Sequence, residues 1–341
     1  MTHSDKLFST VPVDYYTHHR ERGETVHRSE PEWIHRELTS LDVPAGARVL
    51  EIGTGSGYSS ALLAELVGPH GSVVSVDVDP HLVGWANLLH YERGLTTVRC
   101  HQADGMTGYP PQAPYDRIAA WCAAPRLPRA WAEQLRPGGR IVACLPIAAL
   151  PSTTVIVTIV LADGQPYVQG ITFGGYAQST TGAVADVHSV PPRWVDWCIP
   201  HPVPSWIAIA WRADDDRLHT GARTALDRLL NPGHTEIYEP TPMDWRSWNA
   251  YTAVLDDPHL SVAALRGEIR GIGHTTPTSA ALIDPDGAIL ADGPDSPSLQ
   301  ALRAWLQRWE HAGRPAADAF TPVLVPYEGA DLPGWDLRMS L

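Results

Sequence analysis

The sequence Val49-Leu50-Glu51-Ile52-Gly53-Thr54-Gly55-Ser56-Gly57-Tyr58 decides the fold of the N-terminal half of this chain. The apolar run at residues 47–52 predicts a buried strand, and the Ala- and Leu-rich segment at 59–66 predicts a helix. Three glycines at alternate positions separate the two elements, so a ligand can lie against backbone that carries no Cβ. Strand, glycine-rich turn and helix form the first unit of a nucleotide-binding α/β sheet.

The glycine spacing distinguishes between two kinds of ligand. Gly53, Gly55 and Gly57 follow the pattern G-x-G-x-G, which lacks the third glycine of the dinucleotide pattern G-x-G-x-x-G. Glu51 comes two residues before this loop, where a carboxylate is a poor neighbour for a pyrophosphate. The pattern therefore favours a cationic ligand without phosphate, such as S-adenosylmethionine. A nicotinamide oxidoreductase on the same kind of sheet is the alternative.

Acidic residues follow the next two predicted strands. Residues 72–76 lead to Asp77 and Val78, and residues 97–102 lead to Ala103-Asp104-Gly105. Because the carboxyl ends of parallel strands meet at one edge of a sheet, these acids are expected beside the glycine loop, with Asp77 placed to accept both ribose hydroxyls. Further strands are predicted at 117–122 and 140–145, with a helix through Trp131 and Leu135 and a turn at 136–139 between them. An antiparallel hairpin is predicted at 153–173.

Composition and charge limit the class of protein. The chain has 341 residues, enough for two domains, and a net charge of −13 without any run of Lys or Arg, so we expect no nucleic-acid partner. No apolar run approaches 18 residues, so we expect no membrane partner and a cytoplasmic protein.

Cysteine and histidine spacing argue against metal binding. The four cysteines stand far apart and are interpreted as free thiols, and the 16 histidines show no metal-ligand spacing. The sequence therefore predicts no metal.

Several separate motifs resemble the protein-L-isoaspartate O-methyltransferase family. They are V-L-E-I-G-T-G-S-G-Y (49–58), A-D-G (103–105), A-P-Y-D (113–116), A-A-P (123–125) and Q-L-R-P-G-G-R (134–140), within a similarity that covers roughly residues 11–178. The resemblance implies a Rossmann-like class I methyltransferase sheet with helices on both faces, and S-adenosylmethionine as cofactor. The cofactor-binding residues that it predicts are Glu51, Gly53, Thr54, Gly55, Ser56, Gly57, Asp77, Val78, Asp104 and Gly105.

The resemblance also implies a catalytic role for Ser29. This residue matches the serine of the family's S-x-P element, which closes over the cofactor and meets the acceptor carboxyl group. The alternative is that Ser29 or Glu30 only caps a helix that starts at Pro31. Glu30 departs from the family pattern and is expected to point away from the site or to contact a basic group. Asp116 is interpreted as a structural acid.

The acceptor is expected to be a carboxylate, which is already anionic at neutral pH and needs no general base. Methylation of an aspartate or isoaspartate gives an ester, which the next backbone nitrogen can attack to form a succinimide. The expected substrate is therefore an Asp- or isoAsp-containing peptide or protein.

The composition changes near residue 180, so we place one domain at 1–180 and a smaller α+β module at 181–341. Nine of the 13 tryptophans lie in this second half. A linker is predicted at the proline-rich 190–204, strands at 205–211, 320–326 and 335–339, a hairpin at 281–290, and a helix from Pro297, capped by Ser296, to Gly313.

Three functions are consistent with this second half. The extension resembles that of methyltransferases that tailor ribosomally made peptides, which favours an aspartate of a precursor peptide as acceptor. General repair of isoaspartyl proteins is the alternative within the family. A non-catalytic adaptor that holds a precursor peptide is the alternative of another class.

Overall fold

The computed structural model describes residues 10–19, 23–24, 29–183, 190–212, 220–239, 243–267 and 269–341. The α-helices within these residues are α1 (Val13–Thr17), α2 (Pro31–Leu41), α3 (Tyr58–Val67), α4 (Pro80–Glu92), α5 (Arg129–Glu133), α6 (Thr220–Leu230), α7 (Trp245–Val254) and α8 (Pro297–His311). The strands of the N-terminal half are β1 (His18–His19), β2 (Gly23–Glu24), β3 (Arg48–Ile52), β4 (Ser72–Asp77), β5 (Val98–Gln102), β6 (Tyr115–Ala123), β7 (Leu127–Pro128), β8 (Leu135–Pro146), β9 (Thr154–Ala162) and β10 (Gln165–Phe173). Those of the C-terminal half are β11 (Trp197–Ile199), β12 (Ser205–Ile209), β13 (His234–Ile237), β14 (Leu260–Leu265), β15 (Ile269–Thr275), β16 (Ala280–Ile283), β17 (Ala288–Ala291), β18 (Thr321–Tyr327) and β19 (Gly334–Ser340).

The first sheet has the order β10-β9-β8-β6-β3-β4-β5, with parallel pairing from β8 through β5 and two antiparallel strands, β9 and β10, at the other edge. Alternate residues of its strands enter different cores: Val49 packs with α2 and α3, whereas Leu50 packs with α5. Helices therefore cover both faces, as the predicted class I methyltransferase fold requires.

Local predictions for this sheet are confirmed at most positions. An acid directly before Pro80 predicts a helix N-cap, and Asp79 caps α4 by accepting the His81 N–H at 2.8 Å. The 153–173 hairpin turns at Asp163 and Gly164, both of which have positive φ. All four cysteines are free. Asp116 accepts the Arg48 N–H at 2.8 Å and an Arg136 N–H at 2.7 Å, so it is structural as predicted.

One local prediction is wrong, and another is confirmed only in part. Leu135 begins β8 instead of ending a helix, and the predicted turn at 136–139 lies inside that strand, where a register shift opposite β6 and the positive φ of Gly138 accommodate it. Helix α2 begins at Pro31 with Glu30, one of the two predicted caps, as its N-cap residue, but the Glu30 side chain makes no capping bond.

The second sheet is antiparallel, with the order β11-β12-β14-β15-β16-β17-β13. Helix α6 packs on one face, and α8 covers the other with Leu302, Trp305 and Trp309. The Ser296 cap is confirmed, because its hydroxyl accepts the Leu299 N–H at 3.2 Å. The linker prediction is wrong at Trp197–Ile199, which forms the edge strand β11.

The two halves share packing and strand pairing. One cluster of buried residues extends from Leu50 in β3 to Trp309 in α8. The terminal hairpin β18–β19 pairs with β7, so Trp335 lies opposite Leu127, directly after the A-A-P motif. The boundary at residue 180 stays a prediction. Among the described residues, no helix has the length and apolar character needed to span a bilayer.

Candidate active site

A cavity of about 610 Å³ opens at the carboxyl ends of the parallel strands. Its volume is within the range of roughly 300–1,000 Å³ that is typical of small-molecule sites. Nine of the residues predicted from the sequence line it: Ser29, Gly53, Thr54, Gly55, Ser56, Asp77, Val78, Asp104 and Gly105.

The Asp77 carboxylate is held in place by backbone N–H groups. One oxygen accepts the Gly55 N–H at 3.1 Å, and the other accepts the Asp79 N–H at 3.0 Å. A carboxylate has roughly four lone-pair positions, so two of those on Asp77 remain for further donors. Asp77 therefore presents a fixed acceptor pair beside the glycine loop.

Asp104 and Gly105 form the next part of the wall. The Asp104 carboxylate accepts the Met106 N–H at 2.9 Å and begins a short 3-10 turn, which leaves its side chain at the exposed mouth. A Cβ on Gly105 would overlap Ile52, and the Trp131 indole donates to the Gly105 carbonyl at 2.8 Å. Close packing therefore requires glycine at position 105.

Glu51 and Gly57 differ from expectation, because they are not among the residues that line the cavity. The Glu51 carboxylate lies behind the glycine loop and accepts Ser59 Oγ at 2.5 Å, Ser75 Oγ at 2.6 Å and the Trp121 indole N–H at 2.8 Å. Burial raises the pKa of Glu51 to about 7, although these three donors oppose the shift.

Gly57 has a packing role in the structure. It is the N-cap residue of α3 with a φ of +84°, and a Cβ there would lie 2.9 Å from Ala86 Cβ in α4. Glycine at position 57 therefore allows the turn and the close approach of the two helices.

The carboxylate-rich lining is the main electrostatic feature of the cavity. Its charged residues are Glu30, Asp77, Asp79 and Asp104, and no Lys or Arg occurs among the described lining residues. Glu30 is among the residues that line the cavity, and no basic residue occurs with it among the described lining residues. This lining favours a cationic ligand over a phosphate-bearing one.

Aromatic residues that the sequence analysis did not assign to the site complete the wall. Trp121 and Tyr176 meet edge to face with ring centroids 6.0 Å apart, and the Tyr176 hydroxyl donates to buried Glu37. Burial raises the pKa of both Glu37 and Tyr176. Trp121-Cys122 stands where the family that the sequence resembles has smaller residues, and Gly174-Gly175-Tyr176-Ala177 replaces its Val-Pro-Leu. These two departures are the signals that could have identified Trp121 and Tyr176.

A second cavity, of about 480 Å³, adjoins the first and shares Asp104, Met106, Ser179 and Thr180 with it. Both halves of the chain line it, including residues 193–194 and five residues of the terminal hairpin region between 331 and 338. Among the described residues, its lining contains three cations, Arg126, Arg193 and Arg338, and three aspartates, Asp104, Asp331 and Asp336.

The arginines of the second cavity differ in their partners. Arg126 is paired with Asp336 at 3.1 Å and Asp331 at 3.8 Å. Arg193 instead donates to the carbonyls of Ala123, at 2.7 Å, and Ser179, at 2.5 Å, and among the described residues it forms no ion pair. Burial lowers the pKa of Arg193.

Comparisons with known proteins agree with this geometry. Residues 6–166 match the family model "Protein-L-isoaspartate(D-aspartate) O-methyltransferase (PCMT)". A protein-L-isoaspartate O-methyltransferase of Methanothrix thermoacetophila is 41% identical over 136 residues, which are 40% of this chain and 63% of that protein. One from Anaeromyxobacter dehalogenans is 44% identical over 135 residues, which are 39% of this chain and 61% of that protein. The chain thus spans less than two thirds of the length of these relatives.

Solved structures give more distant matches. A protein-L-isoaspartate O-methyltransferase aligns over 100% of this chain and 95% of its own, with 17% identity and a TM-score of 0.48. A putative enzyme of this kind from Plasmodium falciparum, in complex with S-adenosyl-L-homocysteine, aligns over 48% of this chain and 85% of its own, with 16% identity and a TM-score of 0.41. The matches in sequence show that residues 6–166 of this chain are similar to the protein-L-isoaspartate O-methyltransferase family.

Proposed function

We propose that this protein is an S-adenosylmethionine-dependent carboxyl O-methyltransferase that esterifies an aspartate or isoaspartate side chain in a peptide. The observation that carries the proposal is the cavity at the strand ends, which combines the glycine loop with four carboxylates and lacks a Lys or Arg among its described lining residues. The match of residues 6–166 to the protein-L-isoaspartate O-methyltransferase family model supports the same activity.

The residues of the cavity fit this cofactor. When bound, S-adenosylmethionine supplies a methyl group on a positively charged sulfur. Gly53 and Gly55 offer bare backbone with positive φ, and the remaining acceptor positions of Asp77 suit the two ribose hydroxyls. Asp104 and Gly105 would flank the adenine. Nicotinamide dinucleotides fit less well, because their pyrophosphate would meet four carboxylates without an Arg or Lys to neutralise it.

The second cavity supports an anionic acceptor. A carboxylate that approaches from this side passes Arg193, whose hydrogen bonds go to carbonyl and hydroxyl oxygens. The charge of Arg193 is thus available to attract an anion from a peptide. Ser29, which also lines the first cavity, would contact the acceptor carboxyl and close the site around it.

A carboxylate acceptor needs little beyond alignment. It is ionised at neutral pH, so an oxygen lone pair can attack the methyl carbon while the sulfur leaves as a neutral thioether. No proton has to be removed from the acceptor. Holding the two reactants in line can contribute roughly 7–11 kcal/mol to lowering the barrier. The ester product then carries a better leaving group than the free acid, and the next backbone nitrogen can close a succinimide ring without help from the protein.

We propose further that the acceptor is an aspartate of a ribosomally made peptide. The support is the second cavity, because residues 193–194 and the terminal hairpin form part of its wall beside Pro125 and Arg126. A wall built from the C-terminal half provides contacts to residues that flank the acceptor. General repair of isoaspartyl proteins is the alternative.

The decisive experiment is methyl transfer from labelled S-adenosylmethionine to Asp- and isoAsp-containing peptides. We expect a base-labile methyl ester and, in hydroxylamine, a hydroxamate. Asp77→Ala should weaken S-adenosylhomocysteine binding about 100-fold in calorimetry, because two charge-assisted hydrogen bonds worth about 1.5–3 kcal/mol each are lost. Asp295→Ala removes an exposed carboxylate outside the cavity and serves as the matched control.

The outcomes separate the alternatives. A methyl group resistant to base and hydroxylamine would contradict carboxyl methylation, and peptide binding without turnover would favour an adaptor. Stabilisation by NAD but not by S-adenosylhomocysteine would favour the oxidoreductase. Equal activity on unrelated isoaspartyl peptides would favour general repair, whereas preference for a short acidic precursor encoded beside the gene would support peptide tailoring.

A further inference from the structure

Asp257, His259 and His274 lie together at one end of the second sheet, far along the chain from the methyltransferase motifs. One possible ligand atom from each side chain lies within 4.8 Å of those of the other two. Two imidazoles and one carboxylate are a ligand set that divalent transition metals take up, zinc foremost among them. The sequence analysis predicts no metal, since these residues show none of the usual spacings along the chain.

Strand register brings the two histidines side by side. His259 directly precedes β14, and His274 in β15 pairs with the next residue, Leu260. The Thr275 N–H donates to the His259 carbonyl at 3.0 Å, and the two imidazole centroids are 5.0 Å apart. Asp257 joins them through a tight turn, in which its carboxylate accepts the His259 N–H at 2.9 Å. Backbone hydrogen bonds therefore fix the positions from which all three side chains extend.

The buried histidine is also oriented from behind. His274 Nδ1 is hydrogen-bonded to Ser298 Oγ at 3.0 Å, and the Ser298 N–H donates to Ser279 Oγ at 3.0 Å. Metal-binding histidines commonly have such a partner on the other ring nitrogen, which fixes the ring and leaves one nitrogen for the metal. This arrangement directs His274 Nε2 to be the ligand atom.

The other two ligands face solvent. The side chains of His259 and Asp257 are 41% and 26% exposed, whereas His274 is 9% exposed. The group is therefore closed on the side of α8 and open on the other, which gives an ion an entry path. It also leaves room for a water or another ligand on the ion.

We propose that Asp257, His259 and His274 bind one divalent transition-metal ion, with the remaining coordination positions open to solvent. Around a tetrahedral zinc ion with bonds of ~2.1 Å, ligand atoms are ~3.4 Å apart. The three side chains therefore need to approach one another by little more than ~1 Å, and the half-exposed His259 and Asp257 side chains have the freedom to do so. The proposal is independent of the proposed methyl transfer.

The test uses the full-length chain, free of any affinity tag and stripped with a chelator. Calorimetric titration with ZnCl₂ should give one ion per chain, and CoCl₂ should give the visible absorption bands of cobalt bound to nitrogen and oxygen ligands. His259→Ala should weaken zinc binding at least ~10-fold and abolish those bands. His70→Ala, which removes an exposed histidine from a short turn elsewhere, should bind like the wild type.

Two results would overturn the proposal: a wild-type chain that binds no stoichiometric zinc, or a His259→Ala chain that binds it with unchanged affinity. If His259→Ala fails to fold, as judged by its thermal midpoint in chelator, Asp257→Asn provides the same test. Asparagine keeps an oxygen acceptor for the His259 N–H and removes only the charge.

Discussion

The two seven-stranded sheets of this chain use their polar groups in opposite ways. At the carboxyl ends of the first sheet, Asp77 and Asp104 are held by backbone N–H groups and still face a cavity. In the second sheet and the helices packed on it, polar side chains bond to one another: Ser261 Oγ in β14 lies 2.5 Å from Thr275 Oγ1 in β15, and the Trp309 indole of α8 donates to Ser247 Oγ of α7 at 2.9 Å.

This difference follows from topology. Parallel strands require crossover connections, so their carboxyl ends collect loops in which side chains and N–H groups stay free for a ligand. The antiparallel strands β14–β17 follow one another through short turns, and their polar side chains meet across neighbouring strands. The first sheet therefore carries the candidate active site. The second sheet, apart from the proposed metal ligands, has a structural role and supports the first.

The supporting role of the second sheet is tested most directly by a substitution that disrupts that sheet alone. A Cβ on Gly271 would lie 2.7 Å from Leu282 Cγ and would overlap the Ile283 carbonyl oxygen. We expect Gly271→Ala to lower the free energy of unfolding by more than about 3 kcal/mol, since the backbone of β16 cannot move aside. Because one buried cluster spans both sheets, chemical denaturation should show one shifted transition, measured with and without S-adenosylhomocysteine.

Gly170→Ala is the matched control. It lies in edge strand β10, where an added Cβ meets no atom within 4 Å, so its stability should stay within about 0.5 kcal/mol of wild type. If Gly271→Ala produced a separate early transition while the ligand-stabilised transition stayed in place, the two halves would be energetically independent, and the supporting role would be wrong.

The next prediction concerns Glu51, the carboxyl group of the first sheet that is bonded internally. Its pKa rises from 4.5 to about 7 on folding, so the folded state favours the protonated form. The stability that this group contributes is full below pH 4.5 and is lost as the pH rises through 7. Glu51→Gln mimics the protonated form. Its free energy of unfolding should rise relative to that of the wild type by on the order of 3 kcal/mol as the pH goes from 4 to 8.

Denaturant unfolding of both proteins across this pH range measures the gain. Glu37→Gln is the comparison variant: burial raises the pKa of Glu37 too, but the Tyr176 hydroxyl and Arg36, at 2.9 Å, oppose the shift, so we expect a smaller pH-dependent gain. A constant difference between Glu51→Gln and wild type at all pH values would show that the Glu51 pKa is not raised. In that case Glu51 would be held as an anion, as the sequence-based assignment beside a cationic ligand supposes.

The sequence predicts best those features of the site that depend on residues close together in the chain. The strands that precede Gly53, Asp77 and Asp104 were predicted because short apolar runs end in glycine or acid, and parallel pairing then brings these residues to one edge. The burial of Glu51 was not predicted, because its partners Ser75 and Trp121 lie 24 and 70 residues away. A carboxylate in a glycine-loop motif does not reveal which way its side chain points.

The C-terminal half shows the limit of local patterns. Trp197–Ile199 lies in a proline-rich stretch that predicts a linker, but this segment forms a strand because it pairs with Ser205–Ile209. The role of Tyr176 depends on a contact with Glu37, 139 residues earlier. Each of these features depends on a partner that the local sequence does not identify, whereas the caps at Asp79 and Ser296 depend only on their own helices and were predicted.

The substitution with the smallest expected effect is in the candidate active site, at Ser29. This residue lines the cavity next to Glu30, the N-cap residue of α2, and we expect its hydroxyl to bind the acceptor carboxyl group. We expect Ser29→Ala to lower kcat about tenfold, the equivalent of one hydrogen bond of about 1.4 kcal/mol, and to leave S-adenosylhomocysteine affinity within about twofold. Ser40→Ala, which removes a hydroxyl bonded to the Arg36 carbonyl on the same helix, should leave both quantities unchanged. A loss of cofactor affinity equal to the loss of kcat would instead assign Ser29 to cofactor binding, and the acceptor would then be positioned mainly by the arginine-bearing wall that the C-terminal half helps to form.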